Sequence, residues 1–194
     1  MLKIRKGEKT KQYVIEKTSL LLNQRGYLST SLAEVTDATG LQKGGLYNHF
    51  RDKEDLMIES FKYNCTLITE QMEPAIASAS AAADKLNAFV ETYLDLDFPG
   101  GCPIANAAVE SEAVSPLLFQ HAQEAMDRML VLLEDIINTG IAQGEFRSDA
   151  NTRNTAVVIL SLIEGSLLMN KLLPFSPLQL IKDQLARYID DVLK

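Results

Sequence analysis

The sequence is poor in cysteine, histidine and tryptophan: its 194 residues include two Cys, two His and no Trp. Two isolated cysteines, Cys65 and Cys102, exclude a disulfide framework, a Cys-rich zinc site and an iron–sulfur cluster. No run approaches the roughly twenty apolar residues that a membrane span needs. The basic residues 1–6 are not followed by the apolar core and cleavage site of a signal peptide. We therefore predict a cytoplasmic protein with no metal, no cofactor and no membrane partner.

Motifs of enzymes are equally scarce. No Gly-rich phosphate loop and no nucleophile with a neighbouring base is found. The best metal-like feature is His121 with Glu124, but the Glu-x-x-His pair of di-iron bundles is missing. We predict that the chain is not an enzyme, and a helical-bundle enzyme or metal carrier remains an alternative.

Charge is distributed unevenly along the chain. The whole sequence has 19 basic and 26 acidic residues, a net charge of −7. Residues 1–53 contain ten Lys or Arg against five Asp or Glu, a net charge of +5, whereas residues 54–194 contain nine against 21, a net charge of −12. This asymmetry indicates an anion-binding head on an acidic body, although solvated faces can also differ in charge by chance.

Every long periodic segment repeats its apolar residues at the spacing of a helix, and no convincing strand hairpin is found. We therefore predict an all-α fold of about nine helices, with a three-helix head at residues 1–53 and a helical bundle at residues 54–194. Caps and Ser-Pro pairs mark the helix starts, and Gly or Pro marks the ends. The predicted helices span residues 10–25, 31–40, 43–50, 53–72, 84–96, 103–112, 116–144, 151–172 and 177–193, with a connection at residues 75–83.

The second and third predicted helices, separated by a turn at residues 40–42, have the arrangement of a helix-turn-helix. In that motif the second helix lies in the DNA major groove while the first braces it. Residues 43–50 would form about 12 Å of helix, comparable with the groove width of about 12 Å. Leu46 and Phe50 are expected to point into the core of the head.

Gly44 and Gly45 fall in the first turn of that helix, where each glycine costs about 1 kcal/mol relative to alanine. The cost is explained if the backbone must approach DNA closely, which leaves Gln42 and Lys43 to read bases or neutralise phosphate. Other polar side chains follow along one edge and can bind phosphate oxygens; they are Tyr47, Asn48, His49 and Lys53. Taken singly, the tyrosine could be a core aromatic and the histidine a surface residue.

The order of these residues resembles the tetracycline-repressor (TetR) family over about residues 10–60. The resemblance rests on Thr30-Ser31-Leu32-Ala33-Glu34-Val35, on Gly40 to Phe50, and on Lys53-Glu54-Asp55-Leu56. It implies phosphate contacts from Thr30, Tyr47, His49 and Lys53. It implies a base-reading edge made of Gln42, Lys43, Gly44 and Gly45. Four positions depart from the usual family residues without removing a DNA contact; they are Thr18, Leu22, Thr36 and Thr39.

The resemblance also implies a homodimer joined by the last two long helices, and a small-molecule pocket in the bundle. A dimer is reasonable because two recognition helices about 34 Å apart can read a palindrome. Small and apolar residues at helical spacing permit close helix approach, although an intrachain core would have the same pattern. They are Val157, Leu160, Ser161, Glu164, Gly165 and Leu168.

Bulky apolar side chains of the bundle could line the effector pocket, since aromatics provide flat walls and Met adapts its shape. Such residues are also typical of a core. The candidates are Phe89, Tyr93, Phe98, Phe119, Met126, Met129, Ile159 and Met169. The identity of the small molecule is not readable from them.

Gly100-Gly101-Cys102-Pro103 places a thiol at the start of a predicted helix, where backbone N–H groups and the helix dipole favour the thiolate. Residues 101–106 also resemble a branch of the TetR family that includes electrophile- and oxidant-responsive repressors. Cys102 is therefore a candidate sensor thiol, with a buried packing residue as the alternative. Cys65, within the fourth helix, is expected to be structural.

Together these features predict a sequence-specific DNA-binding transcriptional regulator. The predicted form is a homodimeric repressor that a ligand or electrophile releases from a palindromic operator duplex. A nonspecific architectural DNA-binding protein is the alternative, and the ratio of specific to nonspecific affinity distinguishes the two.

Overall fold

The structure, a computed structural model, describes residues 6–194 and is built there from nine helices, with no strand among those residues. In chain order the helices are α1 (Lys6–Arg25), α2 (Leu32–Thr39), α3 (Lys43–Tyr47), α4 (Lys53–Ser78), α5 (Ala82–Asp95), α6 (Pro103–Ser111), α7 (Pro116–Ala142), α8 (Thr152–Leu172) and α9 (Leu178–Leu193). The predicted all-α fold is confirmed. Lys3 and Arg5, which contribute to the basic charge of the head, lie outside the described residues.

The helices of the head differ slightly from their predicted lengths. α1 begins at Lys6, earlier than expected, and α3 ends at Tyr47 rather than Phe50. The chain tightens after α3, since the N–H of His49 donates to the carbonyl of Leu46, three residues back, at 2.9 Å. The recognition helix is therefore shorter than the sequence pattern indicates.

α4 continues through a proline that was expected to end it. The helix passes Pro74 and reaches Ser78, and α5 begins at Ala82, so most of the predicted connection at residues 75–83 is helical. A proline inside a helix removes one backbone hydrogen bond. Met72 and Ile76, on either side of it, are buried, and their packing favours a continuous helix.

One compact unit comprises the chain up to Leu67 together with Phe98–Glu124. In it, α1 packs on α2 and α2 packs on α3. The buried side chains of this core come from α1, α2 and α3, from the segment between α3 and α4, and from the start of α4. They are Val14, Ile15, Val35, Leu46, Phe50 and Leu56. The core fixes which face of α3 is left at the surface.

Buried polar contacts join α1 to α4 within this unit. Thr18 Oγ1 lies 3.0 Å from Ser60 Oγ. Asn64 donates from Nδ2 to the carbonyl of Ser19 at 3.0 Å and to the phenol oxygen of Tyr27 at 2.9 Å. Burial raises the pKa of Tyr27 far above its ordinary value. Because an unpaired buried polar group is costly, these bonds favour a single register of α4 on α1.

α6 is held on the C-terminal part of α1 by two asparagines. The buried Asn23 donates from Nδ2 to the carbonyls of Pro99 at 2.9 Å and Gly101 at 2.8 Å. Asn106 donates from its own Nδ2 to Asn23 Oδ1 at 3.1 Å and to the Gly100 carbonyl at 2.8 Å. Gly100 has a φ of +94° and no room for a side chain against the backbone of Asn23. The turn before α6 therefore has one fixed position on α1.

The second compact unit comprises Ile68–Asp97 and Ala125–Lys194. In it, α5 packs against α8 and α9, which also pack against each other. The core is apolar, and its fully buried members include Leu86, Phe89, Ile159, Ile163 and Leu185. The two units do not follow the division predicted at residue 53, because residues 54–67 and α6 pack with α1. The functional division into residues 1–53 and 54–194 remains a prediction.

α8 carries a stripe of exposed apolar side chains. Val158, Leu162, Met169 and Leu172 are 36–68% exposed, and Gly165 lies among them. Spacings of four and three residues alternate along this stripe, so these positions form one seam. By length and composition alone, α8 is long and apolar enough to cross a membrane, contrary to the prediction that no segment is; core helices of soluble proteins pass the same test.

Candidate nucleic-acid interface

α2 begins in a capping box and ends at a glycine, as predicted. Ser31 Oγ accepts the N–H of Glu34 at 3.3 Å, and the Glu34 carboxylate accepts the N–H of Ser31 at 2.7 Å. The Ser31 N–H, followed by the Arg25 guanidinium at 2.6 Å, lowers the pKa of Glu34 to about 2. Gly40, at a φ of +70°, closes the helix by donating to the carbonyl of Thr36 at 2.8 Å. Both ends of the bracing helix are thereby fixed.

α3 has one face inward and one face in solvent. Leu46 and Phe50 are 2% and 3% exposed, which confirms that they point into the head. Lys43 and Tyr47 are exposed, and the Lys43 ammonium lies 6.0 Å from the centre of the Tyr47 ring, within cation–π range. Gln42 precedes the helix and makes no side-chain capping bond. The outward face therefore presents an amide, an ammonium and a phenol side by side.

Within residues 6–194, the two glycines of α3 have no structural requirement. Neither has a positive φ. A side-chain carbon at Gly44 would meet no atom within 4 Å, and one at Gly45 would make an ordinary contact with Leu41 at 3.8 Å. Each glycine still costs about 1 kcal/mol of helix stability relative to alanine. The absence of an internal reason favours an external one, namely close approach of another molecule to this backbone.

The polar side chains after Tyr47 continue the same surface. Asn48 is exposed, and His49 lies half-buried beside Gly7 of α1, its Cε1 3.9 Å from where a side-chain carbon at that glycine would be. Lys53, the first residue of α4, donates from Nζ to the carbonyl of Leu28 at 3.0 Å. An ammonium has three N–H donors, so this bond orients Lys53 and leaves donors for an anion.

Thr30 does not join this surface. Its side chain is 1% exposed, and its hydroxyl donates to the carbonyl of Gly26 at 2.7 Å. The structure therefore does not support the predicted phosphate contact from the Thr30 hydroxyl, which instead closes the turn between α1 and α2. The other predicted contacts come together on α3 and at the start of α4. They are Gln42, Lys43, Gly44, Gly45, Tyr47, Asn48, His49 and Lys53.

Two contacts near the proposed DNA-binding surface are not indicated by any local sequence pattern. Glu110 of α6 accepts the N–H of Leu28 at 3.2 Å. Ser115, at the start of α7, donates to Glu54 of α4 at 2.6 Å. The partners lie 82 and 61 positions apart in sequence, so no local pattern could have paired them.

Comparison with known proteins agrees with this arrangement. The family model described as "Bacterial regulatory proteins, tetR family" matches residues 14–59, and the one described as "Tetracyclin repressor-like, C-terminal domain" matches residues 82–176. A solved TetR transcriptional regulator from Chloroflexus aurantiacus J-10-FL is 31% identical, with a TM-score of 0.92 and 98% of both chains covered. The chain belongs to the TetR family.

The chain is also similar to proteins that are named as regulators. The HTH-type transcriptional repressor DhaR of Mycobacterium sp. (strain GP1) is 25% identical over 166 residues, 84% of this chain and 82% of its own. The TetR-family regulator CifR, solved as a cysteine mutant with a 26-bp operator duplex, is 20% identical with a TM-score of 0.80, covering 91% of this chain and 94% of its own. This TetR-family chain is a sequence-specific DNA-binding transcriptional regulator.

The residues predicted to line an effector pocket are dispersed in this TetR-family structure. Phe89, Tyr93, Met129 and Ile159 are buried in the second unit, and Met169 is exposed on α8. Phe98 and Phe119 are half-buried and belong to the first unit. The four buried residues therefore fit the alternative that they pack the core, and the effector pocket itself remains a prediction.

Met126 lies in a groove between α7 and α8. The groove has a volume of about 290 Å³. It is lined by Met126, Leu130, Val157, Leu160, Ser161 and Glu164. The Glu164 carboxylate accepts the phenol O–H of Tyr93 at 3.0 Å, so a carboxylate is fixed at the edge of an apolar surface.

Cys102 is placed where the sequence predicted, at the start of α6. Its Sγ accepts the N–H of Ala105 at 3.5 Å, and the residue is 7% exposed. A sulfur that caps a helix and is nearly inaccessible has a structural use. The geometry thus supports the alternative of a buried, structural cysteine, while the sensor role remains a prediction.

Proposed function

We propose that this TetR-family regulator is a homodimeric cytoplasmic repressor that holds a palindromic operator duplex through α3 and the first residue of α4, and that a small molecule releases it. The observation that carries the operator contact is the exposed face of α3. No contact with the residues that the structure describes explains its two glycines, and the flanking Lys43 and Tyr47 are solvent-exposed.

The residues of this surface divide into two roles. Gln42 and Lys43 stand at the N-terminal end of α3, where a recognition helix meets base edges. Tyr47, His49 and Lys53 follow behind that end and have donors suited to phosphate oxygens, which position a protein without specifying sequence. Lys53 is already oriented by the carbonyl of Leu28.

The proposed dimer interface is the apolar seam of α8, with α9 beside it. Its central Gly165 has open space where a side chain would stand, which suits close approach of a second helix. Leu160, part of the interface predicted from sequence, is 4% exposed and belongs to the core. Four other residues of the predicted set are exposed beside or within the seam of Val158, Leu162, Met169 and Leu172; they are Val157, Ser161, Gly165 and Leu168.

The proposed effector site is the groove between α7 and α8. Its lining is mostly aliphatic and carries the Glu164 carboxylate at one edge, an arrangement suited to a small, largely apolar compound. The groove shares α8 with the proposed dimer seam, so binding there would be coupled to the α8 packing.

The test begins with selection of duplexes from a random library by the purified protein, followed by affinity measurements at several salt concentrations. We expect a palindromic consensus. Lys43→Ala should weaken binding and relax preference at one base position of each half-site, whereas Lys53→Ala should weaken all duplexes similarly and reduce the salt slope by about one. Equal affinity for all duplexes would instead indicate the architectural alternative.

A further inference from the structure

We infer that Glu110 of α6 is a positioning residue for operator binding, because it holds the backbone that orients the Lys53 ammonium. The inference rests on the proposed contact between Lys53 and a DNA phosphate. It assigns a DNA-binding role to a helix that lies more than fifty residues beyond the helix-turn-helix in sequence.

Leu28, in the turn between α1 and α2, is held at both of its backbone polar groups. Its N–H donates to Glu110 Oε2 at 3.2 Å. Its carbonyl accepts the Lys53 ammonium at 3.0 Å. A lysine side chain is long and flexible, so the position of its ammonium depends on the acceptor that the ammonium binds, here the carbonyl of Leu28. Glu110 thus acts on Lys53 through one intervening residue.

The turn and Glu110 are closely fitted to each other. Gly26 has a φ of +104°, and a side-chain carbon there would lie only 2.9 Å from Glu110 Oε2. The carboxylate therefore occupies the space beside Gly26, and residues with a side chain rarely adopt the backbone conformation of that glycine. A turn packed this tightly against α6 is expected to move with it.

Glu110 itself sits on a fixed support. One helical turn earlier on α6, Asn106 is hydrogen-bonded to Asn23 of α1 at 3.1 Å. α6 is thus tied to α1 at Asn106 and to the following turn at Glu110. These two ties, on the same helix, make α6 part of the framework that presents the DNA-contacting surface.

The test measures operator affinity and its salt dependence for Glu110→Ala, Glu110→Gln, Lys53→Ala and the double variant Glu110→Ala/Lys53→Ala. We expect Glu110→Ala to bind the operator about fivefold more weakly, a change of about 1 kcal/mol. Its slope of log affinity against log salt should flatten toward that of Lys53→Ala, since one phosphate contact corresponds to a slope of about 0.9. Glu110→Gln keeps an oxygen acceptor for Leu28 and should restore both quantities.

Glu112→Ala is the matched control, because it removes the same charge from an exposed position two residues further on. Loss of a negative charge alone favours binding to DNA, so a weaker complex in Glu110→Ala is opposite to the general charge effect. The double variant should bind no more weakly than Lys53→Ala alone.

The outcomes separate this inference from the proposed contact set. If Lys53→Ala flattens the salt slope but Glu110→Ala leaves it unchanged, or if the two effects are additive, Glu110 does not position Lys53. If Lys53→Ala itself leaves the slope unchanged, the phosphate contact is wrong, and the assignment of Glu110 falls with it. Thermal unfolding of each variant shows whether a loss of affinity comes from a loss of fold. If Glu110→Ala is unfolded, the affinity of Glu110→Gln and its slope of log affinity against log salt decide the inference.

Discussion

Asn106 of α6 donates a hydrogen bond to the side chain of Asn23 of α1 at 3.1 Å, and Asn23 in turn donates to two carbonyls of the turn that precedes α6. The contacts run in both directions: Asn106 binds the side chain of Asn23, and Asn23 binds backbone carbonyls of the turn before α6. The C-terminal family model at residues 82–176 includes α6, yet these bonds place α6 in the compact unit of the DNA-binding helices.

Asn106→Ala should therefore destabilise the protein. The change removes the donor to Oδ1 of the buried Asn23, and an unsatisfied buried polar group costs about 1–3 kcal/mol. The free energy of unfolding in urea measures the effect. Asn154→Ala, at an exposed position on α8, is the control and should change stability by less than about 0.5 kcal/mol. Equal stability of both variants would mean that the pair contributes nothing.

Gly44→Ala should affect the free protein and the complex in opposite directions. A methyl group at position 44 meets no atom of the described part of the chain within 4 Å, and alanine is the better helix former by about 1 kcal/mol. The free protein should therefore be as stable as before or slightly more stable. Operator affinity should fall by about tenfold or more, because the methyl group occupies the space that a close DNA backbone or base edge needs.

Parallel titrations with operator and with an unrelated duplex of equal length, together with urea unfolding, check this prediction. Loss of specific binding with unchanged stability is the expected result. Normal operator binding by Gly44→Ala would contradict the proposal that DNA approaches the backbone closely at this glycine.

What could be predicted from sequence depended on the range of the interaction. The capping box of Ser31 and Glu34 and the glycine stop at Gly40 follow from residues at most four positions apart, and both are confirmed. Pro74 was expected to end α4 because proline removes a local bond. The burial of Met72 and Ile76, which outweighs that loss, is a tertiary effect that no local pattern contains.

For the proposed DNA-binding surface, too, the range of each interaction decided what the sequence could predict. Side chains on one short helix share a face by periodicity alone, so the exposed set on α3 follows from spacing. Thr30 was assigned by resemblance, and its hydrogen bond to the Gly26 carbonyl depends on the path of the backbone after α1. The contact of Glu110 with Leu28 joins segments 82 positions apart and is visible only once the chain is folded.

Leu162→Glu should dissociate the proposed dimer. Leu162 is 38% exposed in the middle of the α8 seam, and a symmetric interface would bring its copy close by, so that two carboxylates would be buried together. Sedimentation velocity should detect monomers at concentrations where the unchanged protein is dimeric. Operator affinity should fall by at least about tenfold, since a single head reads only one half-site.

Val114→Glu is the control for the added charge, because Val114 is 68% exposed in the turn between α6 and α7, outside the seam. This variant should sediment as the unchanged protein does. Dissociation by both substitutions, or by neither, would argue against α8 as the dimer seam. Binding of the unchanged protein to lipid vesicles, lost in Leu162→Glu, would instead assign the apolar stripe to a membrane.

The capping box should contribute stability with a defined pH dependence. The pKa of Glu34 is lowered from 4.5 to about 2 by the Ser31 N–H and then by Arg25. A carboxyl group whose pKa is lower in the folded state stabilises the fold fully above its unfolded pKa. That contribution is lost as pH falls through the folded pKa. The contribution of Glu34 should therefore be complete above about pH 4.5 and decline from there toward pH 2.

NMR titration of the Glu34 carboxyl carbon measures this pKa directly. Arg25→Gln should raise it, but not fully to 4.5, because the larger effect comes from the Ser31 N–H, which remains. Arg51→Gln removes a guanidinium that pairs with Asp55 instead, and it should leave the titration of Glu34 unchanged. A titration near 4.5 in the unchanged protein would show that the capping box does not persist in solution.

Cys102 should behave as a structural cap whose thiol is protected from reaction. Its Sγ accepts the Ala105 N–H, and only 7% of the residue is exposed. A thiol reagent can therefore reach the sulfur only after local unfolding of the start of α6. Its labelling should be at least about a hundredfold slower than in urea-unfolded protein. Cys102→Ser retains a capping atom, and Cys102→Ala should lose about 1 kcal/mol of stability.

Hydrogen peroxide should then change the operator affinity of the unchanged protein and of Cys102→Ser to the same small extent, with Cys65→Ser as the control for the other thiol. Release from the operator by peroxide in the unchanged protein, abolished specifically by Cys102→Ser, would instead make Cys102 the sensor that its position at a helix N-terminus first suggested.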